Sequence, residues 1–145
     1  MILKKIFDEI TFLGGILFYL IVSFLFLYFQ KQDIFLKLIL ALISVYLITA
    51  IIRMFYFKNR PKKLNHSNFL EKLDASSFPS IHAARATLLF ILFSLINLEK
   101  LFLIAIMFLL LLSVYYSRIY LKKHDIIDIL GGIILGILVS LIFRV

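Results

Sequence analysis

A chain of 145 residues that is 63% hydrophobic, with a mean hydropathy of +1.09, carries more apolar surface than a soluble core of that size absorbs, which points to a membrane-embedded protein. The formal charge of +8 would suit nucleic acid, but the positive residues fall between apolar runs and form no basic tail, so anionic lipid is the expected partner and nucleic acid is not. The lack of cysteine excludes a disulfide framework and thiolate chemistry, leaving histidine, serine, arginine and the carboxylates.

Residues 1–9 read as a short charged lead with Lys4 and Lys5. The first apolar run, from about Ile10 to Phe29, is long enough to span, and no small-residue cleavage site follows it, so a retained helix is expected. Gly14 and Gly15 are close-packing positions within it. After a polar turn at 30–33, a second span runs from about Ile34 to Phe57, with Lys37 able to snorkel near its start and Arg53 near its end. Arg60 lies two helical turns beyond Arg53, on the same helical face, and Pro61 ends the segment.

The longest polar segment, 58–78, contains Lys62, Lys63, His66, Glu71, Lys72 and Asp74 and is too short for a second domain. Asn68 and Glu71 have capping-box spacing, and Phe69, Leu70 and Leu73 give the short helix they start one greasy side, suited to the membrane surface. His66 reads as solvated and takes no role. The third span follows Pro79-Ser80-Ile81-His82 and reaches about Ile96. Pro79 fits a first helical turn, which puts Ser80 and His82 near a helix N-terminus, where free backbone N–H groups favour an anion. Arg85, one turn deeper, lines the same cavity or snorkels.

A turn at 97–100 leads to the fourth span, Leu101 to about Tyr116, and the fifth runs from about His124 to Phe143. Gly132 and Gly136 have the spacing of close helix contact. Between these spans lies Ser117-Arg118-x5-His124-x3-Asp128. If the fifth helix begins near His124, Asp128 sits four residues on, on the same face, and can hold one ring nitrogen while the other stays free. The ordinary alternative is a row of interfacial anchors. A metal held by His124 and Asp128 is disfavoured by the surrounding arginines and lysines, which suit an anion such as phosphate.

Threading five spans puts the turns at 30–33 and 97–100 on one side, and residues 58–78 and 117–124 on the other. Arg53, Arg60, Ser80, His82, Arg118, His124 and Asp128 then collect at one membrane face. The expected fold is all-α: one membrane-embedded domain, residues 1–145, of about five transmembrane helices and a short interfacial helix.

The set Arg53-x6-Arg60-Pro61, Pro79-Ser80-Ile81-His82 and Ser117-Arg118-x5-His124-x3-Asp128 resembles the three-part signature of the type 2 phosphatidic acid phosphatases, integral-membrane lipid phosphatases. The resemblance covers residues 53–128. It implies a metal-free hydrolase that works through a phosphohistidine. His124 would attack phosphorus, Asp128 would fix its tautomer, and His82 would protonate the leaving oxygen and then activate water. Arg53, Arg60, Ser80 and Arg118 would bind phosphoryl oxygens.

Three departures stand out. The family usually has lysine at the place of Arg53, which brings a planar fork instead of a point charge. It usually has glycine at the place of Ile81, and isoleucine resists positive φ and crowds the pocket. Relatives often have six spans where this chain shows five.

The substrates implied are phosphatidylglycerophosphate, phosphatidic acid or a polyprenyl phosphate or diphosphate, and the sequence leaves the choice among them and the oligomeric state open. A catalytically weak lipid-phosphate binder or transporter on the same scaffold is the alternative, with Ile81 as its support. A multi-pass protein of the cell membrane is expected. The lysine tally puts the site on the cytoplasmic side, whereas the resemblance implies the extracytoplasmic face, and the expectation follows the resemblance.

Overall fold

The computed structural model describes residues 2–62 and 67–144. Seven α-helices carry almost all of it: α1 Ile2–Ile10, α2 Ile16–Tyr28, α3 Gln32–Phe55, α4 Phe69–Ala75, α5 Ile81–Ile96, α6 Leu101–Tyr120 and α7 Ile126–Phe143. Lys63 and His66 lie outside the described residues.

The apolar runs become helices because nothing inside them breaks the backbone ladder, and their outward faces stay apolar. Leu47 and Ile51 on α3, Leu109 and Leu112 on α6, and Ile134 and Leu141 on α7 are all exposed, as lipid-facing positions are. Helices α3, α6 and α7 are each long and apolar enough to cross a membrane. α5, at 16 residues, is shorter, about 24 Å at 1.5 Å per residue, and it is the helix around which the others pack. Its residues 83–89 are buried without a break.

The first span differs from its expectation. It is not one helix from Ile10 to Phe29, and the charged lead before it is itself helical. α1 continues through a 3-10 turn, Thr11–Gly14, and the axis then bends by 42° into α2 across Gly15, whose backbone is extended. Two contacts explain the break. A Cβ on Gly14 would lie 2.9 Å from Val114 Cγ1 and 3.1 Å from the His82 carbonyl oxygen, so this turn is pressed against α5 and α6. α1 is amphipathic and packs Phe7 against Tyr116 and Tyr120 of α6, with ring centroids 5.3 and 4.5 Å apart. Of the five expected spans, α3, α6 and α7 are long and apolar enough to cross among the described residues, the bent pair of α1 and α2 makes a fourth if it is one span, and α5 is an apolar helix too short to count with them.

α5 and α7 make the closest helix pair. A Cβ on Gly132 would come within 2.4 Å of the Ser80 carbonyl oxygen, and one on Gly136 within 2.7 Å of the Ala84 carbonyl oxygen. The Gly132-x-x-x-Gly136 spacing therefore does what small residues do between membrane helices, letting two backbones touch. The surface helix α4 forms as expected: the Asn68 side chain accepts from the Glu71 backbone N–H at 2.8 Å, and Phe69 and Leu70 are exposed.

Candidate active site

At one end of the bundle the α3–α5 segment and the α6–α7 loop are stitched together by backbone hydrogen bonds. Ser77 N–H donates to Lys58 O at 2.8 Å, Lys62 N–H to Lys122 O at 3.0 Å, and Ser80 N–H to Asp128 O at 3.0 Å. The cavity they frame, about 330 Å³, is lined by Arg53, Arg60, His82, Arg85, Arg118 and His124, with Thr11, Tyr46, Asp74, Ile81 and Lys123. Five of the seven residues expected at one membrane face line this single cavity. Ser80 and Asp128 stand behind it.

His124 is not on the helix. α7 begins at Ile126, with Asp125 as its N-cap: the Asp125 side chain accepts from Asp128 N–H at 3.0 Å, and the Asp128 side chain accepts from Asp125 N–H at 3.0 Å. This reciprocal capping box starts the helix two residues later than the spacing suggests, because Asp125 satisfies the first free N–H groups better than a histidine would. The expected neighbours stay near each other after the shift, but no close hydrogen bond joins them. His124 Nδ1 faces Asp128 Oδ2 at 3.5 Å, the long end of hydrogen bonding, with His124 only 3% exposed. Burial, aided by the Arg118 and Arg60 guanidinium groups, pulls the His124 pKa below its ordinary value against the pull of Asp128. A neutral imidazole with an available Nε2 lone pair is the form that attacks phosphorus.

Lys58, which sequence reasoning passed over, holds the Asp128 carboxylate from the other side. Its ammonium lies 2.6 Å from Asp125 Oδ2 and 2.8 Å from Asp128 Oδ1. Burial acts to lower its pKa, but the bonds to Asp125 and Asp128 overcome this and raise it. The lysine shares Asp128's charge and so limits how far the carboxylate favours imidazolium. Lys58→Met should therefore move the acidic limb of kcat/KM toward higher pH, while Lys58→Arg keeps it in place. A uniform loss at every pH, with the limb unmoved, would reduce Lys58 to a structural tie.

The arginines divide into two kinds. Arg53 spends three of its five N–H donors on the protein: Nε donates to Phe78 O at 3.3 Å, Nη1 to Leu73 O at 3.0 Å and Nη2 to Pro79 O at 3.1 Å. The fork ties down the carbonyls that lead into α5, a bracket that a lysine could not make with one nitrogen. Arg60 and Arg118 are different. Arg60 Nη2 donates to Asp74 O at 2.5 Å and Arg118 Nη1 to Thr11 Oγ1 at 3.0 Å, while the Nε of each is buried with no partner among the described residues. Buried unpartnered guanidinium donors are costly, and a phosphoryl oxygen is their natural acceptor. Arg60 reaches the cavity from extended chain, not from helix, because α3 stops at Phe55.

Ser80 is fully buried as the N-cap of α5, its hydroxyl accepting from Ala83 N–H at 3.4 Å. Pro79 lies before the helix and not in its first turn, so α5 opens at Ile81. His82 occupies the second helical position, where the helix N-terminus favours negative charge nearby. Arg85 joins the site one turn deeper, its Nε donating to Gly14 O at 3.0 Å, Nη1 to Tyr46 Oη at 2.7 Å, and Nη2 lying 3.4 Å from His82 Nδ1. Tyr46 and Thr11 carried no sequence signal; they enter through helix packing.

Comparisons with known proteins bear on the family and the fold. The family model described as the PAP2 superfamily matches residues 34–145. Among solved structures, the chain is similar to Aquifex aeolicus LpxE, with a TM-score of 0.78 and 27% identity, covering 99% of this chain and 86% of that one. It also resembles in fold a transmembrane PAP2-type phosphatidylglycerolphosphate phosphatase from Bacillus subtilis, with a TM-score of 0.75 and 24% identity, covering 98% of this chain and 75% of that one. No curated protein sequence matches the chain. With a family model matching most of its length and a bundle built as in these membrane proteins, this chain belongs to the PAP2 superfamily.

Proposed function

We propose that this membrane protein is a lipid phosphatase, one catalytic domain that hydrolyses a phosphate monoester or diphosphate on a lipid through a phosphohistidine at His124. The observation that carries the reading is a cationic cavity holding two histidines and two buried guanidinium Nε groups without partners. His124 Nε2 attacks phosphorus, forming the P–N bond as the P–O bond to the lipid breaks. His82 gives a proton to the departing oxygen, then takes one from the water that cleaves the P–N bond. Arg60 and Arg118 neutralise the equatorial oxygens in the transition state, and Arg53 keeps the loop that positions His82 in place. With four arginines and Lys123 in the lining against one carboxylate, Asp74, the site favours an anion over a metal ion, and no metal enters this scheme.

A second cavity supports a lipid as the substrate. It is apolar, about 170 Å³, and lined by residues that include Leu13, Ala86, Leu110 and Val114, between the 3-10 turn, α5 and α6. Ala86 and Val114 each lie one helical turn from His82 and Arg118, so the apolar cavity lies one turn deeper along α5 and α6 than the polar site. An acyl or prenyl chain fits this arrangement. Narrowing the groove with Ala86→Leu should lower kcat/KM about tenfold for a long-chain lipid phosphate, the worth of one or two buried methylenes at about 0.8 kcal/mol each. Activity on a water-soluble phosphate ester should stay unchanged, and equal loss on both would remove the groove from the account.

The binder alternative rested on Ile81 in two ways. Ile81 lies within α5 and is not among the residues with positive φ, so the first, a strained backbone, falls away. Its side chain packs on the core and also lines the cavity, so the second, a crowded pocket, is what the activity measurement decides. We place the protein in the cell membrane with the site on the extracytoplasmic face, as the family resemblance implies. Phosphate release from a panel of lipid phosphates and diphosphates, with chelator present, tests the proposal; no turnover of any of them by folded protein would overturn it.

A further inference from the structure

Beside the catalytic cavity lies another, about 270 Å³, lined by Lys4, Asp8, Arg60, Lys62, Leu121, Lys122 and Lys123. Two of these, Arg60 and Lys123, also line the catalytic cavity, so the two spaces share a wall. Lys4, Lys62 and Lys122 continue outward into a third hollow of about 420 Å³, together with Tyr120 and Leu121. Among the described residues, five cations thus line this hollow with one carboxylate, Asp8. The catalytic steps use none of Lys4, Lys62 or Lys122.

The cations come from three separate parts of the chain that are fixed against one another. Lys4 rides on α1, which is held to α6 through Phe7, Tyr116 and Tyr120. Lys62 N–H donates to Lys122 O at 3.0 Å, joining the α3–α4 segment to the α6–α7 loop. Lys122 takes a left-handed backbone, φ 54°, and the next residue turns back so that Lys123 N–H donates to Arg118 O at 3.0 Å. Assembling like charges this closely without a carboxylate for each costs free energy, and an anion in the hollow offsets it. Burial and the neighbouring Arg118 hold the Lys123 pKa below its ordinary value, the sign of a crowded cationic wall.

We infer that this vestibule is a second anion subsite, which takes a phosphate group of the substrate other than the one being cleaved. The inference rests on the phosphatase reading and adds a substrate preference to it: lipids whose head group carries two phosphates. The second group could be the inner phosphate of a diphosphate, a singly charged diester-like group, or a more highly charged phosphomonoester elsewhere on the head group, and both present anionic oxygens to the lysines.

The test compares wild type with Lys4→Gln/Lys62→Gln/Lys122→Asn on three lipids of one tail length: a monophosphate with an otherwise uncharged head, a diphosphate, and a lipid with two separate phosphates. All three lysines are exposed, and asparagine suits the left-handed position, so the variant should fold. On the monophosphate, kcat/KM should stay within about twofold. On one or both of the doubly phosphorylated lipids it should fall at least tenfold, through KM, and the lipid that loses identifies where the second phosphate sits. An equal change on all three lipids, as a general attraction to anionic surfaces would give, overturns the inference, as does no change on any. If wild type releases phosphate from none of the three, the phosphatase reading fails and takes this inference with it.

Discussion

Replacing His124 with alanine should abolish phosphate release, by a factor on the order of 10³ or more, while the protein stays folded. The loss is large because covalent catalysis has no substitute once the nucleophile is gone, and only binding and electrostatic terms remain. The fold should tolerate the change. His124 sits in the loop before α7, its Nδ1 has no close hydrogen-bond partner, and the capping box that starts α7 belongs to Asp125 and Asp128. In wild type, acid should inactivate in the same way: protonation removes the lone pair, and the limb falls below the ordinary histidine range near 6.5, because burial and two arginines oppose the charge. A His124→Ala enzyme with more than a few per cent of wild-type turnover would remove the nucleophile from this position.

Gly132→Val should be the most damaging single change outside the cavity. The new Cβ would meet the Ser80 carbonyl oxygen at 2.4 Å and Ala83 Cβ at 2.8 Å, both part of the rigid start of α5. Neither neighbour is the flexible end of a side chain, so the helices must separate. Overpacking of this kind costs about 3 kcal/mol. Activity should fall with stability, because the same contact holds the Ser80 N–H to Asp128 O bond and sets His82 relative to His124. Thermal unfolding in detergent checks the effect against Leu138→Val, an exposed position on the same helix, which should leave the midpoint nearly unchanged. Equal midpoints for the two variants would mean that α5 and α7 do not depend on close backbone contact.

Much of the site was legible because membrane topology is a parity argument. Ionisable residues are expensive in apolar runs, so those present had reasons to be there, and the alternation of apolar helices brings Arg53, Arg60, His82, Arg118 and His124 to one end. What the sequence could not show was which donors the protein itself occupies. Arg53 and Arg60 look equivalent as charges, yet three carbonyls occupy Arg53 whereas Arg60 keeps a buried Nε unpartnered. Lys58 was hidden for a different reason. Its partners Asp125 and Asp128 lie 67 and 70 residues away, and nothing local marks a lysine next to a polar segment as a half-buried clamp. The bend at Gly15 was invisible because a glycine pair in an apolar run reads equally as close packing or as a break, and here it is both: Gly14 packs and Gly15 turns. α7's late start reflects local competition, since Asp125 caps where His124 cannot.

The central claim is a covalent phosphoryl group on His124, and trapping it is the most direct measurement. The His82→Ala protein, deprived of the group that activates water, should be mixed with a phosphate-labelled substrate that has a good leaving group, quenched in alkali with chelator present throughout, and digested. One acid-labile, alkali-stable label is expected, on the peptide that carries His124, and none in His82→Ala/His124→Ala. Label on another residue, or steady phosphate release with no labelled histidine at any quench time, would contradict it.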